Sequence, residues 1–468
     1  IDLVKNDDKS YTITPDSNYS GKIEFSYIIH DNNGGSVNVS NSLNIKPANI
    51  SYEINRLVEL GDDYFPGNDS SHVAISPNGQ IAAVSTDSHS TDNQVLLFDI
   101  SDPSQRPQEI GKYDSNWYAF GLHFIDNNTL ATANAINGLS VLDVSNPNSI
   151  ELLSTLDWNS QGTNTKDIVS GIDPNILFLV DDNQGVEAID LSDKYNPKGI
   201  WKFSPGDNQG SGTDRRVGND FIQLTESSFA ISLRGNHQVE GDKDKVQIFE
   251  VAQIMPMDMN ADLSLYNETY TIEICSEFNI LYDEDDNPNN YNQELGDGYK
   301  LAFNPSNNNL LVSASGLGIW SYDISNISSP EQLDFIHRYE NNDIGVINDL
   351  EISSQNKNLL LAGSSYGLNQ IDISDPSNLK LIKTQGSSPY SEVNDIAFSP
   401  DGTKVYTTGN RNGLEVYEIN KAITQQPDPD PIPDPDPIPD PDPQPNNYTI
   451  IESEGNITLV KDQDNFGY

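Results

Sequence analysis

Seven times along the chain a strand-like run ends in an acidic residue and passes straight into a turn: VLLFDISDPS, GLSVLDVSNPN, GVEAIDLSDKYNP, KVQIFEVAQ, GIWSYDISNISSP, GLNQIDISDPS and GLEVYEINKA. The acidic markers are Asp99, Asp143, Asp190, Glu250, Asp323, Asp372 and Glu418, and the differences between successive numbers are 44, 47, 60, 73, 49 and 46. A period in the mid-forties is the length of one four-stranded propeller blade. Seven such units predict an all-β, seven-bladed β-propeller, because a blade can bury its faces only against neighbouring blades.

The punctuation within each copy agrees with this. In the last copy VNDIAFS is followed by a turn at Pro400-Asp401-Gly402, then KVYTTG, a turn at Asn412-Gly413, and GLEVYEI. Equivalent hairpin turns stand at Asn137-Gly138, Gln184-Gly185, Leu317-Gly318 and Tyr366-Gly367, where a tight hairpin asks for positive φ. Outer strands follow six markers, such as ELLSTL at 151–156 and LKLIKT at 379–384, but the seventh copy runs into a proline tract. YEINRLVEL at 52–60 is therefore expected to supply the missing outer strand and close the ring, so that no sheet edge is left open.

Composition narrows the function. Acidic residues number 71 against 25 basic ones, for a formal net charge of -46, and such a field repels phosphate backbones and anionic lipid headgroups. Nucleic acid is therefore not an expected partner. Insertion into a membrane is not expected either, since no run of 18 or more apolar residues occurs. The same field attracts cations, and calcium is the one cofactor the chain is expected to be able to hold. Cys275 is the single cysteine, which rules out an intrachain disulfide or a thiolate zinc cluster. The chain opens at Ile1 within a strand-rich segment, and we expect the true N-terminus to lie upstream.

Residues 52–422, through runs such as SVLDVSNPN and NQIDISDPS after a glycine hairpin, resemble the LVIVD-repeat propellers. That resemblance implies the fold, and it implies a bacterial surface or secreted protein; it says almost nothing about activity. The copy ending at Glu250 departs from the motif, lacking the Ser-Asp-Pro that follows elsewhere. Residues 1–48 alternate apolar and polar positions about a Gly-Gly turn, and Tyr27, Asp31, Asn33, Gly34 and Gly35 are similar to the pattern of cadherin-like adhesin repeats. This stretch reads as the C-terminal part of such a β-sandwich.

Residues 424–446 hold PDPDPIPDPDPIPDPDPQP, a Pro-Asp polyproline spacer whose nineteen prolines, aspartates and neighbours would span roughly 60 Å in polyproline II. Residues 447–468 resemble the opening of tryptophan-rich C-terminal repeats of surface proteins, through Ile451, Glu452, Glu454, Gly455 and Leu459.

Two constellations could carry chemistry. Aligning the innermost strands places His72, His123, Asp167, Asp220, Lys300, Asp349 and Asp395 at one position per blade. These would form a channel-mouth ring that binds a cation or polar ligand, or the aspartates would serve backbone donors in their preceding turns. In the longest spacing, read as an insertion between blades four and five that also contains MDMNADLSLYNE, Asp283, Asp285, Asn287 and Glu294 occupy relative positions 1, 3, 5 and 12 of a calcium loop. Pro288 stands where that loop needs glycine, so a looser oxygen-ligand metal site or a plain solvated loop is expected there. A second acidic insertion, with His237, Glu240, Asp242 and Asp244, reads as an exposed hairpin loop.

No nucleophile elbow, HExxH motif or phosphate-cradling loop occurs. The expectation is a non-catalytic, extracellular binding or adhesion module of a large bacterial surface or secreted protein. Its partner would be an extracellular protein or glycan, it would be monomeric within a longer chain, and it would not be an enzyme. The alternatives are a secreted calcium-dependent propeller hydrolase, of phosphatase or lactonase type, and a ligand-free structural spacer.

Overall fold

The computed structural model describes residues 2–5, 11–14, 21–30, 36–45, 50–60, 69–87, 93–102, 105–115, 119–134, 137–156, 165–181, 185–203, 217–234, 245–251, 272–279, 300–314, 318–337, 344–386, 391–409, 413–423, 448–453 and 456–461. Six four-stranded antiparallel sheets follow one another in chain order, each with strands adjacent in sequence. The seventh sheet takes Asp395–Phe398, Lys404–Gly409 and Gly413–Ile423, and its fourth strand is Ile50–Glu59 from the other end of the chain. The innermost strand of each blade meets that of the next, and Asp395–Phe398 meets Asp69–Ile75 of blade one, so the ring is closed.

The repeat motif has a local cause. The marker carboxylate accepts the backbone N–H two residues on, in an Asx-turn that ends the third strand and starts the crossing to the outer one. Asp143 Oδ1 receives Ser145 N at 2.8 Å, Asp190 receives Ser192 N at 2.8 Å, Asp323 receives Ser325 N at 2.8 Å and Asp372 receives Ser374 N at 2.9 Å. Asp99 holds both the amide and the hydroxyl of Ser101, which draws its carboxyl below the usual range. Replacing Asp372 by alanine removes one such turn and should lower stability by about 1 kcal/mol in urea unfolding.

The hairpin glycines behave as the sequence demands. Gly138, Gly185, Gly318, Gly367 and Gly413 all have positive φ. At Gly367, with φ of 123°, an added Cβ would also run into the Gln385 carbonyl of the neighbouring outer strand. Turn conformation and close strand approach thus coincide there.

Blades pack through apolar clusters. Between blades three and four, Phe178 and Phe221 rings lie 4.9 Å apart, and Trp201 meets Phe249 edge-on at 6.3 Å. The outer strand of blade four is Ile272–Asn279, so MDMNADLSLYNE falls inside that blade in the chain and Asp283–Glu294 falls between blades four and five.

Residues Ile54–Ile419 form one compact unit, and Ile1–Glu53 with Asn420–Tyr468 form a second. Within the second, one sheet runs in the order Tyr448–Ser453, Asn456–Lys461, Gly21–His30, Ser36–Ile45. Asn456–Lys461 pairs parallel to Gly21–His30, with Ile29 opposite Leu459. The strands on the two sides of the propeller sequence therefore share a sheet.

Candidate functional site

Six of the seven ring residues lie within the innermost strands, and Lys300 stands just before Leu301–Asn304. The pairing register shifts at the ring residue in blade one, between Ser70 and Val73, and immediately before it in blades three, four and six, between Thr165 and Asp167, Gly218 and Asp220, and Ile347 and Asp349. Such bulges re-aim the side chain that follows. Serines on the second strand accept two of the ring residues' backbone donors: Ser85 Oγ accepts His72 N at 3.1 Å, and Ser313 Oγ accepts Lys300 N at 2.9 Å.

Three of the four aspartates staple neighbouring blades. Asp220 Oδ2 accepts Leu301 N of blade five at 2.6 Å. Asp349 Oδ2 accepts Ile396 N of blade seven at 2.9 Å. Asp395 Oδ2 accepts Val73 N of blade one at 2.7 Å, and so ties the last blade to the first. In every case the donor is the residue after the ring position in the next blade. The expectation that these aspartates serve their own preceding turns is thereby corrected: Asp220, Asp349 and Asp395 reach a donor of the next blade instead, the first two from behind a bulge. Asp167 differs: Oδ1 receives Ile168 N at 2.7 Å, and Oδ2 lies 3.1 Å from Lys300 Nζ.

Lys300 is the positive centre of the ring. Burial works against its charge, yet Asp167, Asp220, Asp349 and Asp395 together hold its ammonium well above the ordinary lysine range. The aspartates divide according to their surroundings. Burial pushes Asp220 up to about 6, with Asp167 adding to the effect and Lys300 opposing it. Burial and the neighbouring Asp395 push Asp349 up as well. Asp395 is only partly buried, and His72, the Val73 amide and Lys300 outweigh its desolvation and hold it below the usual range. His72 Nδ1 stands 3.7 Å from Asp395 Oδ2. Desolvation lowers His123 to about 4, so it is neutral at pH 7.

One participant escaped the sequence reading. Two residues after the ring position the chain has Ala74, Ile125, Val169, Ile222, Ala302 and Ala397, but Glu351 in blade six. Solvent reaches Glu351, while partial desolvation and the charges of Asp395 and Asp220 push its carboxyl up. The signal was available as the single charge in an otherwise apolar column.

The ring is thus an inter-blade fastening as well as a polar surface. Among the described residues no three His, Cys, Asp or Glu side chains are grouped so as to hold a metal ion. Asp283, Asp285, Asn287 and Glu294 lie outside the described residues, as do His237, Glu240, Asp242 and Asp244.

Fold and ring define a seven-bladed β-propeller module. Residues 132–157 and 362–384 match the LVIVD repeat, so this chain carries LVIVD repeats. Both matches run from the second strand of a blade to its outer strand, through the Asx-turn described above. Residues 2–46 match the cadherin-like domain. A search of curated proteins found no match.

Proposed function

We propose that the chain is a non-catalytic, extracellular binding or adhesion module of a large bacterial surface or secreted protein. The observation that carries this reading is the tandem itself, a cadherin-like segment at residues 2–46 directly before an LVIVD propeller. The strongly acidic surface supports it, being soluble in salt and receptive to cations. Chain-coated beads should bind a glycan array or a panel of matrix proteins saturably and in competition with soluble chain. Failure to bind any member, in calcium and in EDTA alike, would favour a structural spacer.

Calcium is the proposed cofactor, at Asp283, Asp285, Asn287 and Glu294. A ligand that binds only the folded chain stabilises it by about 2.7 kcal/mol at a hundred times its dissociation constant. Millimolar calcium should therefore raise the thermal midpoint over that in EDTA, and Asp283→Ala with Asp285→Ala should abolish the rise. An unchanged midpoint would leave a metal-free scaffold.

A second reading, a propeller hydrolase, draws on the convergence of four aspartates and His72 about Lys300. Turnover of p-nitrophenyl phosphate or a simple lactone, lost in Asp349→Asn, would establish it.

A further inference from the structure

Among the described residues, the segment matched by the cadherin-like family pairs with itself only as two-stranded ribbons. Asp2–Lys5 pairs with Tyr11–Thr14, and Gly21–His30 pairs with Ser36–Ile45. The hairpin of Tyr448–Ser453 and Asn456–Lys461, beyond the propeller, is a third such ribbon. A lone two-stranded ribbon is marginally stable in water, and further strands or a covering layer are needed before it holds. The fold joins two of the three: Asn456–Lys461 lies along the edge of Gly21–His30 away from Ser36–Ile45, and four strands become one sheet.

The register of that junction matches the sequence pattern on both sides. Side chains alternate between the faces of a strand, and residues directly opposite share a face. Tyr27 stands opposite Val39 and Ile29 opposite Val37, which puts an apolar row on one face of the N-terminal ribbon. The parallel pairing sets Leu459 opposite Ile29, and the hairpin sets Ile450 opposite Leu459. The apolar row therefore runs on across the junction into the C-terminal hairpin. The other face holds Lys22, Glu24, Ser26, Asn38 and Ser40, and there Thr458 joins it, opposite Ile28. A slip of one residue would bring Thr458 beside Ile29 and move Leu459 to the polar face. Chain connectivity agrees with this pairing. Ile50–Glu59, the next strand after Ser36–Ile45, and Gly413–Ile423, the last strand before the Pro-Asp tract, are neighbours in the sheet of blade seven, so the chain enters and leaves the propeller side by side.

We propose that the edge of Gly21–His30 is a strand-acceptor site whose partner is the chain's own hairpin at 448–461, so that the two flanks fold as one domain and the propeller is an insertion between its strands. Each flank supplies what the other lacks. The N-terminal ribbon gains the third and fourth strands that a stable sheet needs, and the hairpin gains an apolar face continuous with its own. The Pro-Asp tract then leads from the last propeller strand back to the domain in which the chain began the insertion.

Hydrogen exchange of the full chain tests this. Amides of 21–30 should exchange about tenfold faster in Leu459→Asp, and again in a chain lacking 447–468, because the edge strand loses its partner. Thr458→Asp, on the opposite face, should leave their rate at the parental value. Amides of Ile176–Asp181 in blade three should keep their rate in all three variants. Exchange at 21–30 that ignores the loss of 447–468, or that Thr458→Asp accelerates as much as Leu459→Asp, would overturn the proposal. Acceleration that extends to 176–181 would make the flanks part of the propeller's own fold and overturns it as well. Parental protection at 21–30 that falls away on dilution would assign the hairpin to a second copy and overturn the pairing within one chain.

Discussion

Replacing Lys300 by methionine should lower the free energy of unfolding by about 3 kcal/mol at pH 7, the scale for removing one partner of a buried ion pair. The Lys300 and Asp167 side chains are only 18% and 19% exposed, so water cannot replace the ammonium in place. Four aspartates would then face one another around the axis without a counter-charge. Their folded carboxyls would rise, the folded state would hold protons that the unfolded chain has released, and the deficit against the parent should shrink as pH is lowered from 7 to 5. In the parent, the raised lysine value means its contribution is fully present below about pH 10.5, the ordinary lysine value, and is lost only above it. Adding Asp167→Asn to the variant should recover part of the loss, because the two sites are coupled. Urea unfolding at pH 5 and 7 reads all of this. Parental stability in the single variant, or a deficit independent of pH, would mean that the ring does not depend on Lys300 for its charge balance.

The propeller was legible because its determinants are local and repeated. An Asp two residues before a Ser, a glycine at each hairpin and a mid-forties period are facts about short stretches, and Asp143–Ser145 or Gly367 do in the fold what their chemistry asks. The blade-four outer strand, Ile272–Asn279, was harder to place because an insertion separates it from its partner strand. The ring positions were legible as a column, but their contacts were not. That Asp349 would accept Ile396 N rather than a donor in its own turn depends on a bulge and on the distance between neighbouring blades, and neither leaves a mark in a single strand's sequence. Glu351 was missed for a related reason. Its strand reads as ordinary alternation, and only comparison across seven blades singles it out.

The two staples at Asp395 and Asp220 share a geometry and should respond oppositely to the same substitution. Each carboxylate accepts one backbone N–H of the next blade, at 2.7 Å for Val73 and 2.6 Å for Leu301. Asparagine keeps an acceptor in both places and removes the charge in both. At Asp395 the charge is welcome: although the site is partly desolvated, His72, Val73 and Lys300 hold the carboxyl below its ordinary 3.8. Its contribution is therefore present above 3.8 and is lost as pH falls through the folded value, so Asp395→Asn should destabilise the chain at pH 7 and cost progressively less as pH falls below 3.8, little once it is below the folded value. Asp395→Ala, which also strands the Val73 amide, should cost about 2 to 3 kcal/mol at pH 7, the worth of a charged hydrogen bond. At Asp220 burial dominates and the carboxyl is raised to about 6. The stability tied to its proton is present below 3.8 and is lost as pH rises through about 6, so at pH 7 its charge is a burden that Asp220→Asn removes. The asparagine variant at 220 should accordingly be more stable than the parent at pH 7 and equal to it near pH 4. Thermal midpoints at the two pH values for the two variants give four results. If both variants lose stability at pH 7, the charge at Asp220 is compensated by more than Lys300, and the division of the ring into one favoured and one disfavoured aspartate fails.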